Sequence, residues 1–251
     1  MERLNSYQNI LHLLEHYEIE KVYPLSIMEG LQGGKVYVND KVNPSAALIW
    51  HDCGFANIVG EYDYDNICDI REMMHHPEKW DFVRMALQSG KDSRLEEMLL
   101  SDSAIHKRER YVFHYTGRDV EAPEPADCVL EEITAENYDL ICGNIIPAFS
   151  WKSREHFLHN GYGYCLLRDG KFLACAFSSG ISKDYVDIGV ETAESSRGKG
   201  YGKIAALAMV KETLKRKKQP VWGCDTLNEA SMKLACSVGF EVCGVHPWYK
   251  I

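Results

Sequence analysis

Long apolar runs are missing from this chain. The longest candidate, residues 140–151, falls short of the ~18 residues a membrane-spanning helix needs and contains Asn144 and Pro147. No membrane association is expected. Met1-Glu2-Arg3-Leu4-Asn5-Ser6 has no apolar core, so no secretory signal is expected there. Cysteine pairs are missing too: the nine cysteines are scattered and odd in number, with no C-x-x-C pair among them. That excludes a zinc ribbon or a disulfide frame and predicts reduced thiols, a cytoplasmic setting and no metal site. Excess positive charge is absent, since 28 Lys and Arg face 37 Asp and Glu for a net charge of -9. Binding to nucleic acid needs a basic footprint, so no nucleic-acid partner is expected. What remains is an ordinary globular composition, 45% hydrophobic and 26% charged over 251 residues, large enough to bury a core without staples.

Turn chemistry divides the chain. Residues 116–127 hold Gly117, Pro123 and Pro125 among Asp119, Glu121, Glu124 and Asp127, a solvated and extended composition. We expect a linker there, between an α+β module over 1–115 and a second domain over 128–251. In the first module, Ile10, Leu11, Leu14 and Tyr17 keep helical spacing. Val36-Tyr37-Val38, 46–50, 55–59 and 110–115 read as strands; 66–76 and 94–100 read as helices.

The second domain opens with a strand over 129–133 and a helix capped by Thr134 with Asn137 in third position. Strands over 162–167 and 172–177 flank Arg168-Asp169-Gly170-Lys171, whose Asp-Gly pair is a hairpin signal. A third strand covers 185–192. A glycine-rich turn then leads into a helix over 202–216 with apolar Ile204, Leu207, Ala208 and Leu214. Val221-Trp222 opens a short strand, Asn228 caps a last helix ended by Gly239, and 240–245 closes the domain. The fold class is therefore α/β, or α+β, with a mainly antiparallel central sheet flanked by helices.

The informative segment is Arg197-Gly198-Lys199-Gly200-Tyr201-Gly202-Lys203, which joins a strand end to a helix start. Helix N-termini leave amides unpaired and carry positive partial charge. Glycines let an anion approach that backbone, so the segment suits a phosphate or pyrophosphate. It is not a P-loop: the spacing from Gly198 to Gly202 is one residue short, and Ile204 stands where a magnesium-binding hydroxyl is required. It is not a dinucleotide fingerprint: Gly198, Gly200 and Gly202 give G-x-G-x-G, and no acid follows at the ribose distance. A plain surface turn remains an alternative on the motif alone.

The pattern R-x-x-G-x-G, at Arg197, Gly200 and Gly202, resembles the coenzyme A pyrophosphate loop of the GNAT N-acetyltransferase superfamily. Asn228-x-x-Ser231-x-x-Leu234 followed by Gly239-Phe240 is similar to that superfamily's next helix and its end. Pro220-Val221-Trp222, Leu31-Gln32-Gly33 and Asn43-Pro44 resemble a bacterial branch that includes zwittermicin-resistance-type acetyltransferases. The resemblance implies an acetyl-CoA-dependent N-acetyltransferase acting on a small-molecule amine by direct attack on the thioester. It implies a cofactor site made of Val190, Thr192, Arg197, Gly198, Lys199, Gly200, Tyr201, Gly202 and Asn228, with the Thr192 amide polarising the thioester carbonyl. Many members carry a tyrosine acid where this chain has Ala235; Tyr201, Cys236 and Tyr249 are the substitutes considered. Glu191 and Asp225 are the candidate bases, although each also reads as a structural acid. The missing tyrosine keeps a noncatalytic acyl-CoA-binding protein as the competing reading, with nucleotide-binding regulation as a third. The first module mimics part of one transferase unit and is a candidate diverged half. Its acidic loop, Gly60-Glu61-Tyr62-Asp63-Tyr64-Asp65, lacks the glycines and would repel a pyrophosphate, which predicts one cofactor site per chain. The sequence leaves the oligomeric state open.

Overall fold

The computed structural model describes residues 1–15, 17, 19–121, 123 and 127–251. The chain forms two compact units, Met1–Tyr111 with Gly244–Ile251, and Val112–Cys243. Part of the expected linker, Ala122, Glu124, Pro125 and Ala126, lies outside the described residues.

The first unit contains β1 (Glu2–Leu4), α1 (Val22–Met28), β2 (Gly34–Val38), β3 (Ala46–His51), β4 (Phe55–Gly60), α2 (Tyr64–His75), β5 (Ala86–Gln88), α3 (Ser93–Leu100) and the first part of β6 (His106–Tyr115). Its strands run in the order β1-β2-β3-β4-β5, antiparallel except for the parallel pair β4–β5. Both faces of β3 are buried, and Trp50 stacks on Phe82 with ring centres 4.0 Å apart. Two differences from the expected elements have local causes. Residues 8–14 coil as a 3-10 turn that buries only Ile10 and Leu14, so the stripe is too short to anchor an α-helix. α1, which the pattern missed, tolerates Pro24 because the proline stands in its first turn, where its missing amide costs nothing.

The second unit contains β7 (Val129–Glu132), α4 (Arg154–Asn160), β8 (Gly163–Arg168), β9 (Lys171–Ile181), β10 (Tyr185–Thr192), α5 (Tyr201–Lys215), β11 (Gln219–Asp225), α6 (Glu229–Ser237) and the start of β12 (Phe240–Lys250). Here the strand order is β6-β11-β10-β9-β8-β7. Asp169 and Gly170 both take positive φ, +49° and +70°, so the β8–β9 hairpin closes through the two-residue turn its Asp-Gly pair favours. α5 packs on β8, β9, β10 and β11. Leu214 is nonetheless 44% exposed, because the buried stripe passes through Thr213, which meets the Tyr162 hydroxyl at 3.2 Å.

The helix expected after Thr134 is one 3-10 turn, Tyr138–Leu140. Asn137 explains the difference. Its side chain accepts from the Thr134 amide at 2.9 Å but donates back to the Glu132 carbonyl at 2.9 Å, tying the segment to the end of β7.

The two units repeat one succession. In each, three antiparallel strands lead through a helix to a strand parallel with the third: β2, β3, β4, α2, β5 and then β8, β9, β10, α5, β11.

Candidate functional site

The site begins where two parallel strands part. β10 pairs with β11 only at Tyr185↔Gln219, Val186↔Pro220 and Asp187↔Val221, while β10 continues to Thr192 and β11 to Asp225. At the same level β9 carries an extra residue, Ser179, between the partners of Asp187 and Ile188, and such bulges bend a strand. The opposite edge of β10 stays paired with β9 as far as Thr192↔Ala174.

Backbone groups alternate sides along a strand. The Ala193 amide donates to Leu173 on the β9 side at 2.9 Å, so the backbone groups of Val190 and Thr192 face the other way, into the opening beside β11. Their side chains take the α5 face: a Cβ placed on Gly202 would lie 2.8 Å from Thr192 Oγ1 and 3.7 Å from Val190 Cγ1. Gly202 is therefore the residue that lets the first turn of α5 sit directly on the end of β10.

Gly198 and Gly200 serve differently. Their φ values are +76° and +83°, and a Cβ on either would meet nothing within 4 Å among the described residues. Left-handed backbone demands glycine at both positions, and the space above them is open. Gly200 is the N-cap of α5 and has no side chain to cap it; its carbonyl takes the Lys203 and Ile204 amides at 3.1 and 3.2 Å, and no side chain caps the amides ahead of them among the described residues. Lys199 is exposed, and Lys203 is half-buried in the first turn. Arg197 donates to the Thr192 carbonyl at 3.4 Å, with 63% of its side chain exposed. Backbone amides and a helix terminus thus border an open surface, with Arg197 held on the Thr192 carbonyl and Lys199 on the Ser195 carbonyl beside it, an arrangement suited to a diphosphate.

Tyr201 faces elsewhere. It is buried and its hydroxyl accepts from Arg168 at 2.5 Å, toward the β8–β9 hairpin. Asn228 caps α6 by accepting from the Ser231 amide at 3.1 Å, and Ser231 accepts from Trp222 Nε1 at 3.0 Å, which binds α6 to β11. Asp225 accepts from the Leu227 amide at 2.9 Å in the turn between them. Glu191 points away from α5 and accepts from the amides of Asn144, Ile145 and Thr192.

Of the residues considered as acids, Ala235 is fully buried and Tyr249 belongs to the first unit, where its hydroxyl donates to Glu96 at 3.1 Å. Cys236 is exposed on α6. Behind Glu191, Cys175 and Cys165 stand directly opposite one another on β9 and β8. Burial pushes both thiols up, Cys165 to about 11, so they stay protonated packing groups. Trp151 and Phe157 are core residues, Trp151 donating to the Ser178 carbonyl at 2.7 Å. No group of three or more His, Cys, Asp or Glu able to hold a metal occurs among the described residues, and no described helix is long and apolar enough to cross a membrane.

In the first unit the corresponding strand-to-helix turn is sealed. Asp63 caps α2, accepting from the Asn66 amide at 2.9 Å, while Asn66 Oδ1 accepts from the Asp63 amide at 3.2 Å. A carboxylate of the chain itself sits where the glycine loop of the second unit leaves its amides open.

A parting parallel pair followed by a glycine loop and a helix start leaves an anion-accepting opening at the end of the sheet. The chain belongs to the GNAT acetyltransferase family, which it matches over residues 13–249. It is therefore a GNAT N-acetyltransferase, an acyltransferase. It is 22% identical over 223 residues to the uncharacterized N-acetyltransferase YdfB of Bacillus subtilis (strain 168), covering 86% of this chain and 85% of that protein. Its fold is similar to that of a GCN5-related N-acetyltransferase-like protein from Streptococcus suis 89/1591, with a TM-score of 0.76 at 20% identity over 96% of both chains. A tandem GNAT protein from the clavulanic acid biosynthesis pathway gives a TM-score of 0.56 at 14% identity, over 86% of this chain and 82% of that one.

Proposed function

We propose that the chain transfers an acetyl group from acetyl-CoA to the primary amine of a small molecule, with one cofactor site per chain, in the second unit. The observation that carries this reading is the pair of positive-φ glycines with open space above them, placed directly after the strand whose Val190 and Thr192 backbone faces the β10–β11 opening. The amides from Gly198 to Gly202, with Arg197 and Lys199, would hold the diphosphate. The backbone groups of Val190 and Thr192 would pair with the pantetheine arm, and Asn228 lies at the β11–α6 turn on its far side. Acetyl-CoA supplies an activated acyl carbon with a thiolate leaving group.

The chain's own part is to orient that carbon and meet developing charge. The Thr192 amide is the donor aimed at the carbonyl oxygen. The amine enters neutral and loses its proton to water, since the nearby carboxylates of Glu191 and Asp225 already accept main-chain amides. A leaving thiol with a pKa of about 8.5 needs little help to take up a proton, which accommodates alanine at position 235. The likeness of the first module to the zwittermicin-resistance-type branch supports a small amine as acceptor.

Calorimetry with CoA tests the site, and thiol release from acetyl-CoA across a panel of amines tests the reaction. Binding near one equivalent per chain and amine-dependent thiol release are expected. Gly200→Glu should abolish CoA binding while leaving the circular dichroism of the parent, at a cost of about 1–2 kcal/mol in stability for a side chain in left-handed backbone. Undiminished binding by that variant, or two equivalents bound, would refute the assignment; binding without thiol release would make the chain a noncatalytic acyl-CoA-binding protein.

A further inference from the structure

We propose that Glu191 is a positioning residue that fixes the wall and the carbonyl-polarising amide of the acyl site, and that it does not take the proton of the attacking amine. This deepens the acetyl-CoA reading above and rests on it. Glu191 lies next to the end of β10, on the face opposite α5, with 12% of its side chain exposed. Its Oε2 accepts from the Asn144 and Ile145 amides, each at 2.8 Å, 47 and 46 residues away in sequence. Its Oε1 accepts from the Thr192 amide at 3.2 Å and stands 4.0 Å from Arg197 Nη2. A carboxylate offers about four lone-pair directions. Three here are taken by N–H donors with a guanidinium alongside, which leaves the group poorly placed to collect a proton from an entering amine.

Gly143 is the second, independent sign that this contact is built. Its φ is +135°, and a Cβ there would fall 2.5 Å from Glu191 Cγ and 2.8 Å from Oε2. A residue with a side chain would push the carboxylate out from under the two amides. The chain thus spends a left-handed glycine on seating residues 144 and 145 against the strand end.

The two oxygens divide the work. Oε2 ties residues 144 and 145 to β10, giving the site a fixed wall beside Thr192. Oε1 holds the Thr192 amide in line until a thioester oxygen takes that amide over, while the bonds to Oε2 persist. No proton changes hands at Glu191.

The test sets Glu191→Gln against Glu191→Ala in the full chain, with free CoA as the binding probe. Glutamine keeps one oxygen for Asn144 and Ile145; alanine keeps none. Amide hydrogen exchange at 144 and 145 should stay slow in the glutamine variant and become about tenfold faster or more in the alanine variant. The glutamine variant should keep kcat/KM within about tenfold of the parent with the same pH profile, while alanine loses ~10²-fold or more. The glutamine variant should bind free CoA within about tenfold of the parent, because the strand end that meets the pantetheine arm stays clamped, and the alanine variant more weakly than the glutamine variant. Equal losses of ~10²–10⁴-fold in both, with the proton-transfer limb gone from the pH profile and exchange protection intact in the glutamine variant, would make Glu191 the base and overturn the proposal. Full activity in the alanine variant would overturn it as well. Should the alanine variant not fold, the glutamine arm decides alone. A parent chain that binds no CoA would instead defeat the acetyl-CoA reading, leaving the exchange measurement to report on the clamp separately.

Discussion

Substituting Gly202 by alanine probes how tightly α5 must sit on β10. The new methyl would lie 2.8 Å from Thr192 Oγ1 and 3.7 Å from Leu234 Cδ2, so the hydroxyl is the one severe obstacle. Overpacking of this kind costs about 1–3 kcal/mol, offset in part by up to ~1 kcal/mol of helix propensity gained on replacing glycine. The net loss should be about 0–3 kcal/mol in urea unfolding. Thr192→Ala removes the obstacle and, at a half-buried position, costs under about 1 kcal/mol. The double variant should therefore be more stable than the sum of the two single effects by about 1–2 kcal/mol, a coupling well above the ~0.5 kcal/mol scatter of independent sites. The strain falls on the joint between the helix start and the strand end. CoA affinity of Gly202→Ala should thus drop by up to about tenfold and recover in the double variant. Additive stabilities, or a CoA affinity indifferent to Gly202→Ala, would refute the claim that this glycine exists for the contact.

Two further outcomes follow from burial. His51 is fully buried in the first unit, its Nδ1 accepts from the Cys53 amide at 3.1 Å, its Nε2 has no hydrogen-bond partner among the described residues, and burial pulls its pKa down to about 3. The unfolded chain takes up that proton near pH 6.5, so between about pH 6.5 and 3 the unfolded state holds more protons and stability falls as pH falls, by about 1.4 kcal/mol per unit. Urea midpoints at pH 7 and 5 should show this slope, and His51→Gln should flatten it; equal slopes in parent and variant would remove His51 as the cause. Ala235→Tyr, which restores the side chain many relatives use as an acid, should lower the melting temperature and not raise kcat, because Ala235 is fully buried and a ring has no room there. A faster enzyme of undiminished melting temperature would contradict that.

Local chemistry carried much of the reading from sequence. The Asp169-Gly170 turn, the Asn228 cap and the strand-to-helix placement of the glycine loop each depend on residues a few positions apart, and each stands where the pattern put it. Elements set by packing were less legible. β5 has three residues and draws its identity from pairing with β4, and Asn137 binds backward to β7, a choice its capping pattern could not reveal. The same divide runs through the site. The positive φ at Gly198 and Gly200 follows from glycine beside a helix start, whereas the bonds from Glu191 to Asn144 and Ile145 join distant segments through a glycine whose need arises only from what lies beneath it. Tyr201 belongs to the loop through its main chain, while its hydroxyl accepts from Arg168, a distant partner the local pattern could not reveal.

The capped helix of the first unit has a thermodynamic consequence for the whole chain. Asp63 gives α2 an internal acceptor for its leading amides, so that helix start is capped without any ligand. The start of α5 has no such resident anion, and whatever free energy its exposed amides can yield is drawn from a visiting molecule in proportion to the logarithm of its concentration. One copy of the repeated succession thereby carries its own cap, and on the proposed reading the other would be tightened by the molecule it binds.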